Sequence, residues 1–195
     1  LAEAARFAGA EVILISGPSA LMPPEGVVIK RVTTAVEMHQ AVMASLQPKC
    51  IFIGAAAVSD YALDTPSETK IKKQACPKLA FELTKNPDIL ADVALSKQAR
   101  FVMGFAAETD QVMTYAREKL LKKNLDCVVA NRVGEGLGFD VDQHEVTVLT
   151  HTQAYQLSKK HKVRLAGELV AILATSLQNS GNFIPEYIDE PAHSS

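Results

Sequence analysis

The amino-acid sequence predicts an α/β domain: an open, mostly parallel sheet with helices on both faces, Rossmann-like in plan. Three observations predict it. Short apolar runs alternate along the 195 residues with longer mixed segments, the order that strand–helix–strand units produce. The runs at 50–58 and 101–105 are apolar on both faces, as strands buried between two helix layers must be. Small and polar residues follow directly after the apolar runs, where ligands collect in such sheets.

Each element follows in turn. Residues 1–8 read as a helix already under way, with no capping residue ahead of it. The chain is therefore expected to lack the N-terminal strand and loop that open such a unit. Glu11-Val12-Ile13-Leu14-Ile15 is a strand ended by Ser16-Gly17-Pro18, because Gly tolerates unusual dihedrals and Pro lacks an amide donor. Residues 27–32 give a second strand. A helix over 35–46 carries Val36, Met38, Val42, Met43 and Leu46 at helical period. The run at 50–58 is expected to be a central parallel strand.

After Asp60 the pattern breaks. Residues 62–83 hold Pro66, the lysines Lys70, Lys72 and Lys73, then Pro77 and an alternating stretch, which reads as a protruding flap. Asn86 is expected to cap a helix with Pro87 in its first position, running to about Ser96. A buried strand at 101–105, a helix over 111–123 and a strand at 126–130 ending in Asn131 come next. Gly134, Gly136 and Gly138 mark a flexible loop. Residues 146–149 alternate like an outer strand, 154–157 form a short strand or turn, and 168–177 form the last helix. One domain over 1–178, flap included, and a loosely held tail over 179–195 account for the chain.

Composition narrows the function classes. Hydrophobic residues make up 48% and charged residues 22%, ordinary for a globular protein. A formal charge of −2 gives no general pull toward nucleic acid or an anionic membrane. Cys50, Cys76 and Cys127 show no paired spacing, which argues against a disulfide scaffold and favours a reducing, cytoplasmic setting. No signal peptide or uninterrupted apolar span is visible. The G-x-x-x-x-G-K-[ST] and G-x-G-x-x-G phosphate signatures and the G-x-S-x-G nucleophile turn are absent. His39, His144, His151, His161 and His193 lack metal-ligand spacing. Positioning and electrostatics would carry any chemistry.

The candidate residues each have a plainer reading beside the functional one. Gly54, Ala55 and Ala56, small and at a strand end, would let a ring or phosphate approach the backbone; they also suit a tight strand-to-loop crossing. Asp60 could accept ribose hydroxyls or hold magnesium, or cap a turn. Lys70, Lys72 and Lys73 could face a polyphosphate, or be a solvated edge. Lys119 and Lys123, four apart on one helix, share a face that could grip phosphate, yet such pairs are commonly solvated. Residues 86–89 offer a helix start whose amides suit an anion, with Asn86 as a simple cap the alternative. Phe105 could stack on a base or belong to the core.

Taken in order, Gly54-Ala55-Ala56-Ala57-Val58-Ser59-Asp60-Tyr61, Lys70-Ile71-Lys72-Lys73, Asn86-Pro87-Asp88-Ile89-Leu90 and Gly104-Phe105-Ala106-Ala107-Glu108-Thr109, with Lys119, Lys123, Asp126 and Asn131, closely resemble the phosphopantothenoylcysteine synthetase family of coenzyme A biosynthesis. The likeness covers 1–177 and is strongest to the bacterial form, usually the C-terminal half of a bifunctional protein with a flavin-dependent (FMN) decarboxylase half. The resemblance implies a ligase that joins 4′-phosphopantothenate to L-cysteine through an acyl-cytidylate, using CTP and Mg2+ and releasing pyrophosphate and CMP. It implies that Gly54, Ala55 and Ala56 receive the nucleotide and that Asp60 serves its ribose and metal. Lys70 is the implied catalytic lysine facing the phosphates; Pro87, Asp88, Ile89, Leu90 and Phe105 line the base and nucleotide pocket; Lys119 and Lys123 add contacts. A homodimer built through the flap is also implied.

Two departures accompany the resemblance. The family carries a first strand and a Ser- and Gly-rich loop, with an Asn and a Lys, ahead of the segment found here. It also usually has an Asn within the stretch that reads Asp142-Gln143-His144-Glu145 in this chain. Two other classes stay open: a non-catalytic nucleotide-binding or dimerisation domain, and a dinucleotide-dependent oxidoreductase. The latter would want a glycine fingerprint and an acid about twenty residues on, and the sequence offers neither.

Overall fold

A computed structural model of the chain describes residues 1–65, 80–132 and 143–178. Helix α1 (Ala2–Phe7) leads into β1 (Ile13–Ser16), β2 (Val28–Arg31) and α2 (Ala35–Met43). Thr34 fixes the start of α2 through a reciprocal cap. Its hydroxyl accepts the Glu37 amide at 3.1 Å, and the Glu37 carboxylate accepts the Thr34 amide at 3.3 Å, so two otherwise orphaned donors are satisfied together. β3 (Ile51–Gly54) follows, then a small antiparallel pair, β4 (Tyr61–Leu63) and β5 (Leu83–Lys85).

The second part runs α3 (Ile89–Ser96), β6 (Phe101–Glu108), α4 (Val112–Lys122), β7 (Cys127–Arg132), β8 (Gln143–Leu149), β9 (Ala154–His161) and α5 (Lys162–Gln178). The main sheet has the order β3-β6-β7-β8-β9. β3, β6 and β7 are parallel, whereas β8 and β9 join antiparallel. The sheet is therefore mixed. β1 and β2 form a separate parallel ladder.

Alternation along the strands divides the core into two layers. Val102, Ala106, Val128 and Ala130 point to one face, where they pack with Val93 of α3 and with Ala116 and Leu120 of α4. Met103, Cys127, Val129, Val146 and Val148 point to the other, against Leu165, Leu169 and Leu173 of α5. Helices thus cover both faces, as the sequence predicts. Among the described residues no helix is long and apolar enough to cross a membrane.

Several local expectations are corrected. The helix cap is Asp88, not Asn86: its carboxylate accepts the Ala91 amide at 3.1 Å, and Pro87 lies outside the helix. β3 has β6 as its one strand partner among the described residues, so it stands at an end of the main sheet. Residues 146–149 are interior, because β9 is a full strand and covers the far edge of β8. α5 starts at Lys162 rather than 168. Lys70, Lys72, Lys73 and Cys76, the glycine loop and the tail lie outside the described residues.

Candidate functional site

The site begins with a step in the sheet. β3 pairs with β6 only as far as Gly54 opposite Gly104, whereas β6 continues to Glu108 alongside β7. β3 ends at Gly54, so beyond Gly104 β6 has no ladder partner on that side among the described residues, and this step is the notch. Paired glycines at its base let α3 lean in. A Cβ on Gly54 would stand 3.0 Å from the Leu90 side chain, and one on Gly104 would stand 2.8 Å from it. At both positions a side chain would have to displace the tip of the same leucine.

The β4–β5 pair is tied to the same place. The amide of Asn86 donates to the main-chain oxygen of Asp60 at 2.8 Å, and its side-chain amide donates to the Ser59 carbonyl at 2.9 Å. Those bonds, with the β4–β5 ladder, join loop 55–60 to the start of α3. Asp60 keeps an exposed side chain. Ala55 and Ala56 are exposed beside it.

Lys119 of α4 and Lys123 at its C-cap reach toward this notch. Lys119 donates to the Phe105 carbonyl at 2.5 Å. Lys123 meets both carboxylate oxygens of Asp88, at 2.8 and 2.7 Å. Burial disfavours the charged form of Asp88, but the Lys123 hydrogen bond, the Ala91 amide and the charges of both lysines outweigh it. The carboxyl is held below its ordinary range. Asp88 therefore does two things at once: it caps α3 and anchors the C-terminal end of α4. Phe105 itself is half-buried and turns toward the α5 layer.

The predicted residues Gly54, Asp60, Pro87, Asp88, Ile89, Leu90, Phe105, Lys119 and Lys123 thus gather around one sheet edge through direct contacts or chain adjacency. Lys70 lies outside the described residues. Among the described residues no group of three or more His, Cys, Asp or Glu could hold a metal. A cavity of about 480 Å³ lies elsewhere, between the first turn of α4 and β8, lined by Asp110, Val112, Thr114, Ala130, Glu145 and Thr147; none of the predicted residues lines it. Lys119, Lys123 and Asp88 meet at the notch instead.

Sequence reasoning missed three pairings. His39 contacts Asp92 at 2.9 Å and bridges α2 to α3. Asp88 gave no hint of its lysine, because the two are 35 residues apart. Asn131 donates to Nδ1 of His144 at 3.2 Å, at the end of β7; the substitution of His within the stretch 142–145 was the available signal.

Comparison with known proteins bears on this arrangement. Residues 1–177 match the model of the DNA/pantothenate metabolism flavoprotein C-terminal domain. The Coenzyme A biosynthesis bifunctional protein CoaBC of Haemophilus influenzae is 44% identical over 171 residues, covering 87% of this chain and 42% of that protein. The Escherichia coli K12 protein of the same name is 49% identical over 148 residues, covering 74% of this chain and 36% of the protein. This chain therefore spans less than half the length of these relatives. Among solved structures, the C-terminal domain of a CoaBC protein superposes with a TM-score of 0.76 at 32% identity, covering 92% of this chain and 81% of that one. A Streptococcus pneumoniae DNA/pantothenate metabolism flavoprotein, at 21% identity and a TM-score of 0.71 with 91% and 84% covered, shares the fold. Because the family model matches residues 1–177 of the 195, the chain belongs to the DNA/pantothenate metabolism flavoprotein C-terminal domain family.

Proposed function

We propose that the chain is the ligase domain that joins 4′-phosphopantothenate to L-cysteine, with CTP as the activating nucleotide. In the first step a carboxylate oxygen of the acid attacks the α-phosphorus of CTP. An acyl-cytidylate forms and pyrophosphate leaves. In the second step the cysteine amine attacks the acyl carbon and gives up a proton, the bond from that carbon to the bridging phosphate oxygen breaks, and CMP leaves as the amide forms. Such chemistry needs alignment and charge stabilisation more than covalent help from the protein.

The observation that carries the reading is the convergence of Lys119, Lys123, the start of α3 and the end of β3 on one notch, in a chain of this family. In the proposed roles, Gly54, Ala55 and Ala56 lie under the nucleotide, while Pro87, Asp88, Ile89 and Leu90 line its pocket from the α3 side of the sheet and Phe105 from the α5 side. Lys119 and Lys123 face its polar edge, and Lys70 lies against the phosphates, where a compact cation offsets developing charge. Asp60 is exposed on a loop fixed by Asn86, which suits a carboxylate shared between ribose and Mg2+. Magnesium, when bound, would neutralise charge on the phosphate oxygens. A homodimer built through the flap and a fused FMN-dependent decarboxylase half complete the proposal.

The test is pyrophosphate release from 4′-phosphopantothenate, cysteine and magnesium with each nucleoside triphosphate in turn. It is run on the chain and on a version extended by the family's N-terminal segment. We expect release with CTP from the extended form and a loss of about 100-fold or more in Lys70→Gln, the scale of losing an electrostatic transition-state contact. Silence with every nucleotide would overturn the ligase reading. Preference for ATP would retain the chemistry and remove the CTP assignment.

A further inference from the structure

His144 stands out among the described residues: its Nε2 is the buried side-chain nitrogen or oxygen that has no hydrogen-bond partner there. Its other ring nitrogen accepts from the Asn131 amide at 3.2 Å, which leaves the ring proton on Nε2. A buried donor left unmade is costly, and such an atom at a ligand-collecting edge points to an acceptor that arrives with a ligand.

The ladder registers place it. β8 runs antiparallel to β7, so its first residues lie at the C-terminal end of β7, the same sheet edge as the notch. Asn131 stands opposite Ala107, three residues past Gly104 and so about 10 Å further along the strands. Asn131 also continues the side of β7 that carries Val129, the α5 side to which Phe105 turns. Lys160, across the β8–β9 ladder from His144, is held by Glu168 of α5 at 2.9 Å. A ligand whose reacting end sits in the notch would bring its far end here only if it were long and extended.

We infer that His144 is a specificity-determining residue that donates from Nε2 to a phosphate oxygen at the far end of the acid substrate, with Asn131 holding the ring. The inference rests on the ligase reading, in which the acid's carboxylate reacts in the notch and its phosphate lies at the opposite end of an extended chain. An imidazole N–H beside a carboxamide suits a phosphate oxygen, and it discriminates the phosphorylated acid from its dephosphorylated form because only the former supplies an anionic acceptor.

The experiment compares wild type, His144→Phe and His144→Gln in the N-terminally extended protein. Calorimetry gives the affinities for 4′-phosphopantothenate, pantothenate and CTP, and steady-state turnover gives KM and kcat. Phe should weaken 4′-phosphopantothenate by about 10- to 100-fold, the range for a hydrogen bond to a charged group. It should raise KM with little change in kcat, and leave pantothenate and CTP within about twofold. Gln, which restores an N–H donor, should recover most of the loss. The 15N signal of Nε2 should also shift when 4′-phosphopantothenate is added and stay in place with CTP. Equal weakening of both acids, no weakening of either, or weakening of CTP instead would overturn the assignment. A wild type that binds CTP but neither acid would overturn the ligase reading, and this inference with it.

Discussion

The β1–β2 ladder and the β6–β7 strip are built from the same kind of sequence and end in different surroundings. Both are parallel pairs of short apolar runs. Ile13 and Val28 nevertheless remain 42% and 60% exposed, while Val128 and Val129 are fully buried. β6 and β7 have strand neighbours on both edges and helices on both faces. β1 and β2 have each other, with α2 packed against β1. An apolar run sets strand conformation locally; its energetic weight depends on what surrounds it.

Truncation gives the sharpest test of that contrast. Leu120→Ala, at a fully buried position of α4, should lower unfolding free energy by about 2–5 kcal/mol through lost transfer energy and a residual cavity. Val28→Ala should cost less than about 1 kcal/mol. Equal losses in urea titrations would break the comparison. Next in size, Gly104→Ala presses a methyl against Leu90 and Leu125, at 2.8 and 3.0 Å. It should cost about 1–3 kcal/mol, as overpacking does. Since Leu90 must move, CTP binding should weaken in the same variant if the notch is the nucleotide site.

Smaller effects come from single charges. Asp88→Ala removes the α3 cap and should cost about 0.5–2 kcal/mol. The Asp88 carboxyl is depressed in the folded chain, so its contribution is fully present above the ordinary value of 3.8. That contribution is lost as pH falls through the lowered folded value. Acid titrations of wild type and variant should therefore converge at low pH. Burial pushes the Cys127 thiol up to about 12. The unfolded chain then loses this proton first, and stability falls as pH rises past the ordinary value of 9.0. The loss is about 0.4 kcal/mol at pH 9. Thiol-labelling at that pH should spare Cys127 until the chain unfolds.

Much of the fold could be read in advance, and the misses share a cause. The helix expected over 35–46 was legible from its apolar stripe, which repeats within a few residues, although α2 ends at Met43. The interior position of β8 was not, because Val146 and Val148 are covered by a strand whose own residues, Lys159 and Lys160 among them, look like solvent-facing loop. Asn86 and Asp88 are both good caps by type; Lys123, brought in from another helix, accompanies the choice of Asp88. At the site, the small residues and the lysine pair were recognisable as candidates. Their meeting point was not, since a step between β3 and β6 is a property of register. His144 offered only a residue change within a short stretch until its ring was seen against Asn131.

The sequence by itself determined most of the helix and strand segments, though not the length of β9 or the start of α5, and it carried the ordered motifs that mark the family. Periodicity, capping and turn chemistry act over a few residues, and motif order is written in the chain itself. Only the tertiary structure decided which strands are buried, that Lys123 serves Asp88, and that one imidazole nitrogen is left without a partner among the described residues. Those facts depend on contacts between distant residues, where solvent exclusion and ladder register, rather than local preference, set the energy.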